Sequence, residues 1–151
     1  MGSGKSIIGR TVASQMLWPF RDLDSDIEIH ARKSIAAIFE EEGEDKFRQL
    51  ETEALQRIVS DPSITATGGG CFIFNREWML QNGTVIYLEV PFEILAQRIT
   101  AESSRPLWRN AEKLFKERQD QYRQAHLTVD ANRPMNEVIA DIRKLLQEKN
   151  Q

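Results

Sequence analysis

The chain has 151 residues, a net charge of −3 and 28% charged residues. That is one domain's length of sequence, able to bury a core without metal or disulfide support, and its charge provides no basic field of the kind nucleic acid selects. Its one cysteine, Cys71, cannot pair internally, no run approaches the length of a membrane span, and the N-terminus is not a signal peptide, so a soluble protein of a reducing cytoplasm is expected.

The first stretch, Met1-Gly2-Ser3-Gly4-Lys5-Ser6, matches the end of the phosphate-cradling pattern G-x-x-x-x-G-K-[ST], with the first glycine outside the sequence. In that pattern backbone N–H groups surround phosphate oxygens, the lysine reaches the β- and γ-phosphates, and the hydroxyl ligates Mg²⁺. Ile7, Ile8, Val12, Ala13 and Met16 then recur at helical spacing, which predicts a helix whose N-terminus faces an anion. Taken alone, the same residues also describe a flexible chain start.

Leu17 to Phe20 is expected to be extended and to run into Asp22, Asp24 and Asp26. These carboxylates are either a solvated turn or, at the C-terminal end of a parallel strand, part of a ligand site. Ser34 caps a predicted helix from Ile35 to Glu42, with Gly43 as its stop. A second helix is predicted from Glu44 to about Ser60, burying Phe47, Leu50, Ala54, Leu55 and Ile58. Arg48 falls off that stripe. It is either a surface cation beside Glu44 and Glu51 or a side chain aimed at an anionic ligand.

Ile64 to Thr67 reads as a short strand entering Gly68-Gly69-Gly70, where close approach of backbone to a ligand explains three glycines better than a linker does. A short helix is predicted from Phe72 to Gln81, then a strand from Thr84 to Val90 buried on both faces, then a helix opened by Pro91. Residues 101–110 form either a lid or an ordinary loop. Asn110 is expected to cap a helix to about His126 that carries Leu114, Tyr122 and Arg123. Leu127 to Asp130 is the last strand, and a helix bearing Val138, Ile139, Ile142, Leu145 and Leu146 closes the chain. Alternating strand and helix predicts an α/β fold with a parallel sheet.

In order, Gly-Ser-Gly-Lys-Ser at 2–6, Leu-Asp-Ser-Asp at 23–26, Gly43-Glu44 leading to Phe47-Arg48, the glycines 68–70, Ser104-Arg105-Pro106-Leu107, Tyr122-Arg123, and Val129 to Arg133 resemble the shikimate kinase family of the nucleoside-monophosphate-kinase-like P-loop group. The resemblance spans nearly the whole chain. It implies a three-layer P-loop kinase fold with parallel sheet order 2-3-1-4-5, a single domain over 1–151, a substrate-binding helical segment at about 26–60 and a lid at about 101–110. It also implies transfer of the γ-phosphate of ATP, with Mg²⁺, to the 3-hydroxyl of shikimate. Two rival readings are a gluconate-type kinase and a catalytically impaired nucleotide-binding module.

By the same resemblance Gly2, Ser3, Gly4, Lys5 and Ser6 hold the phosphates, Lys5 reaching the β- and γ-groups, with Ser6 and Asp24 toward the metal. Asp26 orients or deprotonates the substrate hydroxyl. Arg48 and Arg123 clamp the shikimate carboxylate, and Gly69 and Gly70 line that pocket. Arg105 reaches in from the lid, and Arg98, Arg133 and Pro134 lie near the adenine. His30 stands where family members often carry Glu. Strand 1 of the family precedes the phosphate loop and has no counterpart in this sequence, so the expectation is a truncated reading of a longer protein, monomeric once that strand is present. Each backbone group left buried without its partner strand costs about 1–3 kcal/mol.

Overall fold

The computed structural model describes residues 4–58, 62–100 and 108–150, apart from the side chains of 98–100 and 108–111. Eight helices and four strands lie in the described residues, in the order α1 (Lys5–Met16), β1 (Phe20–Asp22), α2 (Leu23–Ala31), α3 (Ile35–Glu42), α4 (Glu44–Gln56), β2 (Ile64–Ala66), α5 (Gly69–Asn82), β3 (Ile86–Glu89), α6 (Phe92–Thr100), α7 (Trp108–Tyr122), β4 (Leu127–Asp130) and α8 (Met135–Lys149). They form two compact units, one of Gly9–Arg76 and one of Met1–Ile8 with Glu77–Gln151.

In the unit of Gly9–Arg76, β1 and β2 run parallel, with Phe20 opposite Ile64 and Asp22 opposite Ala66. A parallel pair needs a long crossover, and α2, α3 and α4 supply it. Helix α2 starts directly at the end of β1, where the Asp22 carboxylate accepts from the Ser25 N–H at 3.3 Å. Helix α3 behaves as its sequence predicts. Ser34 Oγ accepts from the Ala37 N–H at 3.1 Å, and Gly43, at φ +86°, donates its N–H to the Ile38 and Phe39 carbonyls. Glu28 of α2 accepts from the Ile35 N–H at 3.0 Å, tying the two helices together. The buried side chains include Leu23, Ile27, Ile38, Phe47, Ala54, Leu55, Cys71 and Phe72, and Phe39 meets Phe47 with ring centroids 4.7 Å apart.

In the other unit, β3 and β4 run parallel with Ile86 opposite Leu127 and Glu89 opposite Asp130, and α6 and α7 lie in the crossover. Helix α8 returns from β4 and buries Val138, Ile139, Ile142 and Leu146, the face its periodicity predicts. With family strand 1 outside the sequence, β1 to β4 stand for family strands 2 to 5, and the pairings β1 with β2 and β3 with β4 are the 2-3 and 4-5 neighbours of the expected order 2-3-1-4-5, seen as two two-stranded sheets among the described residues.

Several boundaries differ from expectation. Helix α5 begins at Gly69, so two of the three glycines are its first turn and not a loop. Asp24 and Asp26 lie in the first turn of α2, directly after the strand end and not within it, because Asp22 takes the cap. Helix α4 closes at Gln56 with Arg57 as its C-cap, short of Ser60. Asn110 is inside α7, which starts at Trp108 and ends at Tyr122. Strand β3 is half-buried along its length and not fully buried as expected.

Candidate functional site

Three sequence features that were separate candidates meet in the unit of Gly9–Arg76. The glycine run begins beside a carboxylate: a β-carbon on Gly68 would stand 3.7 and 3.8 Å from the two carboxylate oxygens of Asp24. Two residues later the run lies against a cation, and a β-carbon on Gly70 would stand 2.5 Å from Nη2 and 2.7 Å from Nη1 of Arg48. Only glycine lets backbone and guanidinium share that space.

Arg48 has the neighbours of a surface cation but not the exposure of one. Its guanidinium donates through Nη1 to Glu51 Oε1 at 2.9 Å and through Nη2 to Glu44 Oε1 at 3.5 Å, the two neighbours its helical spacing predicts. It is no surface cation, however. Glu51 is 1% exposed and the Arg48 side chain 18%, and the guanidinium carbon lies 5.1 Å from the Phe47 ring centroid and 4.4 Å from that of Phe74. Arg48 Nε is buried with no hydrogen-bond partner among the described residues.

Burial pushes the Glu51 carboxyl above its ordinary value; the hydrogen bond from Arg48 opposes that shift, and the nearby charge of Asp24 adds to it. The result is a compact set of alternating charge, Asp24, Glu51 and Arg48, bounded by glycine backbone and two aromatic rings. Within it the guanidinium fork of Arg48 is the group whose geometry matches a planar carboxylate. Asp26 follows Asp24 by two positions in the same helical turn.

In the other unit, Gly4 has φ +76° and α1 begins at the next residue, so Lys5 and Ser6 occupy the positive end of a helix dipole behind a turn that suits glycine. A phosphate group fits that arrangement, and the Ser6 hydroxyl is an oxygen donor of the kind Mg²⁺ takes. Arg123 follows the end of α7 and donates through Nε and Nη2 to Glu89 Oε1, at 3.1 and 2.7 Å, and Gln119 donates to the same oxygen at 3.0 Å. These residues line a cleft of about 430 Å³ with Phe92 and Phe115. Arg133 is held by the Asp130 carbonyl at 3.0 Å and Asp141 at 2.6 Å, next to Pro134, the N-cap residue of α8.

Gly2, Ser3 and Arg105 lie outside the described residues, as does most of the expected lid; of Arg98 only the backbone, within α6, is described. Sequence reasoning missed three participants. Glu51 was visible only as a helical neighbour of Arg48, and nothing in an isolated Glu signals burial. Phe74 reads as an ordinary apolar residue, and Glu89 as the polar end of a strand.

A family model described as shikimate kinase matches residues 1–147. A shikimate kinase of Salinibacter ruber (strain DSM 13855 / M31) is 39% identical over 160 residues, covering 94% of this chain and 78% of that protein. One of Bacillus cereus (strain G9842) is 35% identical over 156 residues, covering 99% and 93%. Among solved structures, shikimate kinase from Aquifex aeolicus vf5 is similar with TM-score 0.86 and 31% identity, covering 99% of this chain and 94% of that one. Shikimate kinase from Acinetobacter baumannii in complex with shikimate is similar with TM-score 0.86 and 35% identity, covering 99% and 89%.

Proposed function

The chain belongs to the shikimate kinase family, and from that membership we propose the following roles for its residues. The protein is an ATP- and Mg²⁺-dependent kinase that phosphorylates shikimate, giving shikimate 3-phosphate and ADP. Arg48 holds the substrate carboxylate, with Gly69 and Gly70 forming the wall behind it and Arg123 supplying the second cation. The observation that carries this reading is the contact between Gly70 and the Arg48 guanidinium, which gives both the glycine run and the off-stripe arginine one purpose.

Asp26 receives the proton of the attacking hydroxyl or orients it. Lys5, with Gly2, Ser3 and Gly4, grips the β- and γ-phosphates at the start of α1, Ser6 and Asp24 hold the metal, and Arg105 approaches from the 101–110 segment. Arg98, Arg133 and Pro134 flank the adenine. Bound Mg²⁺ neutralises charge that spreads over the transferring phosphoryl oxygens. The chain's own contribution is positioning and placed cations, which is what a loose phosphoryl transition state needs from a protein.

Selectivity follows from the same residues. A neutral sugar would leave the Arg48 guanidinium desolvated without a carboxylate, so gluconate-like acids of other shape and nucleoside monophosphates are the informative rivals. No helix among the described residues is long and apolar enough to cross a membrane. Cytoplasmic location is part of this proposal, supported by the single buried free thiol of Cys71, as is action without nucleic acid, supported by the net charge of −3, and as a monomer once the family's first strand is present.

The test is ADP release from ATP and Mg²⁺ with shikimate, gluconate or nucleoside monophosphates as acceptor, repeated with Arg48→Lys. Shikimate alone is expected to drive turnover. The variant should raise the KM for shikimate by about tenfold or more with the KM for ATP within about twofold, because the fork is lost while the charge remains. Equal effects on both substrates would remove Arg48 from the carboxylate role.

A further inference from the structure

We propose that the kinked segment Phe74–Asn75 of α5, acting with Thr52 of α4, is the positioning element for Arg48 and thereby sets the affinity for shikimate; this rests on the carboxylate-binding role of Arg48 given above. Asn75 is 8% exposed and has φ −129° and ψ 24°, so α5 departs from helical geometry at a buried polar residue. Kinks have causes, and here the side chain is engaged at both ends. Its Nδ2 donates to the Cys71 carbonyl at 3.1 Å, and its Oδ1 accepts from Thr52 Oγ1 at 2.7 Å.

Thr52 lies one helical turn after Arg48, and its hydroxyl is also 3.0 Å from the Arg48 carbonyl. A threonine has one hydroxyl proton to give, and the shorter contact is the one to Asn75. The hydroxyl therefore joins α5 to α4 at the turn that carries the arginine. On the preceding residue, the Phe74 ring lies over the guanidinium at 4.4 Å although it is 54% exposed. At the start of the same helix, Gly70 contacts the guanidinium nitrogens. Residues 70, 74 and 75 thus bear on Arg48 or on its helical turn from one element.

The guanidinium needs that support. Its side-chain hydrogen bonds are one of 2.9 Å to Glu51 and one of 3.5 Å to Glu44, and Nε has no partner among the described residues. Bidentate recognition of a carboxylate tolerates misplacement of only about 0.5 Å, so the rings and the Thr52–Asn75 bond decide whether the fork is correctly presented. Phe74, Asn75 and Thr52 act through Arg48 and are positioning residues.

Steady-state kinetics of Thr52→Val, Thr52→Ser, Phe74→Leu and Arg48→Lys test the proposal. Thr52→Val keeps the shape without the hydroxyl, and Phe74→Leu removes the ring at an exposed position, so the second variant stays informative if the first folds poorly. Each is expected to raise the KM for shikimate by about three- to tenfold, with kcat and the KM for ATP within about twofold, and Thr52→Ser should restore wild-type behaviour. An unchanged shikimate KM in both variants while Arg48→Lys raises it would overturn the positioning role alone. So would a parallel rise in the ATP KM or failure of the serine to rescue, either of which marks a merely structural part. An unchanged shikimate KM in Arg48→Lys would instead overturn the carboxylate reading on which the proposal stands.

Discussion

At Gly70 a single hydrogen atom separates contact from collision. A methyl group there would meet the Arg48 nitrogens at 2.5 and 2.7 Å and the guanidinium carbon at 2.8 Å. A long side chain escapes such a clash at little cost when it is free to swing. Arg48 is confined by Glu51 and by the rings of Phe47 and Phe74, so it leaves the site geometry instead. Gly70→Ala is therefore expected to raise the KM for shikimate by about tenfold, the effect of losing ~1.4 kcal/mol of substrate binding, while the melting temperature changes little. Thermal denaturation and substrate titration of one preparation check both halves. A large loss of stability with an unchanged KM would show that the glycine serves packing only. Arg48 itself was legible as a residue off the apolar stripe, but its burial was not, because helical spacing gives the face and not what covers that face.

Helices and strands carry a second test, in the pair formed by β3 and α7. The rings of Tyr87 and Tyr122 stack with centroids 5.1 Å apart, and burial, with Glu89 and Tyr122 adding to it, pushes the Tyr87 hydroxyl up to about 12. A raised acid pKa means that the folded state holds its proton more tightly than the unfolded state. The associated stability is complete below the unfolded value near 10 and is lost as pH rises toward 12. The chain has two tyrosines, so phenolate absorbance is expected to resolve one that ionises late, and Tyr87→Phe should flatten the alkaline fall in stability. Both tyrosines ionising together near 10 would contradict the packing of β3 on α7. Elements were legible wherever local chemistry fixes them. Ser34 and Gly43 bracket α3 as written in the sequence, whereas the start of α5 at Gly69 was not foreseen, because glycine carries a poor helical propensity that the surrounding packing overrides.

Across the whole molecule, a net charge of −3 leaves anion binding to a few placed cations, and ligand linkage is the measure of whether they act together. Shikimate at about 100 times its Kd should stabilise the protein by ~2.7 kcal/mol, a rise of about 5–10 °C in melting temperature for a chain of this length. Arg48→Lys at the same concentration is expected to lose most of that shift. An equal shift with gluconate, or none with shikimate, would place the carboxylate site elsewhere. What the sequence determined by itself was the alternation of strands and helices, hence a parallel sheet, together with the helix start behind Gly4 and the identity of the charged residues, all of which follow from periodicity, caps and motif spacing within a few residues of each other; the order of the strands came from the family resemblance. The tertiary structure decided that the glycine run passes from Asp24 to Arg48, that Glu51 is buried and bonded to the guanidinium, that Phe74 covers that guanidinium, and that Asn75 ties α5 to Thr52. Those contacts join α2, α4 and α5 across more than twenty residues of chain, and only packing, not local spacing, sets which side chain a third helix covers.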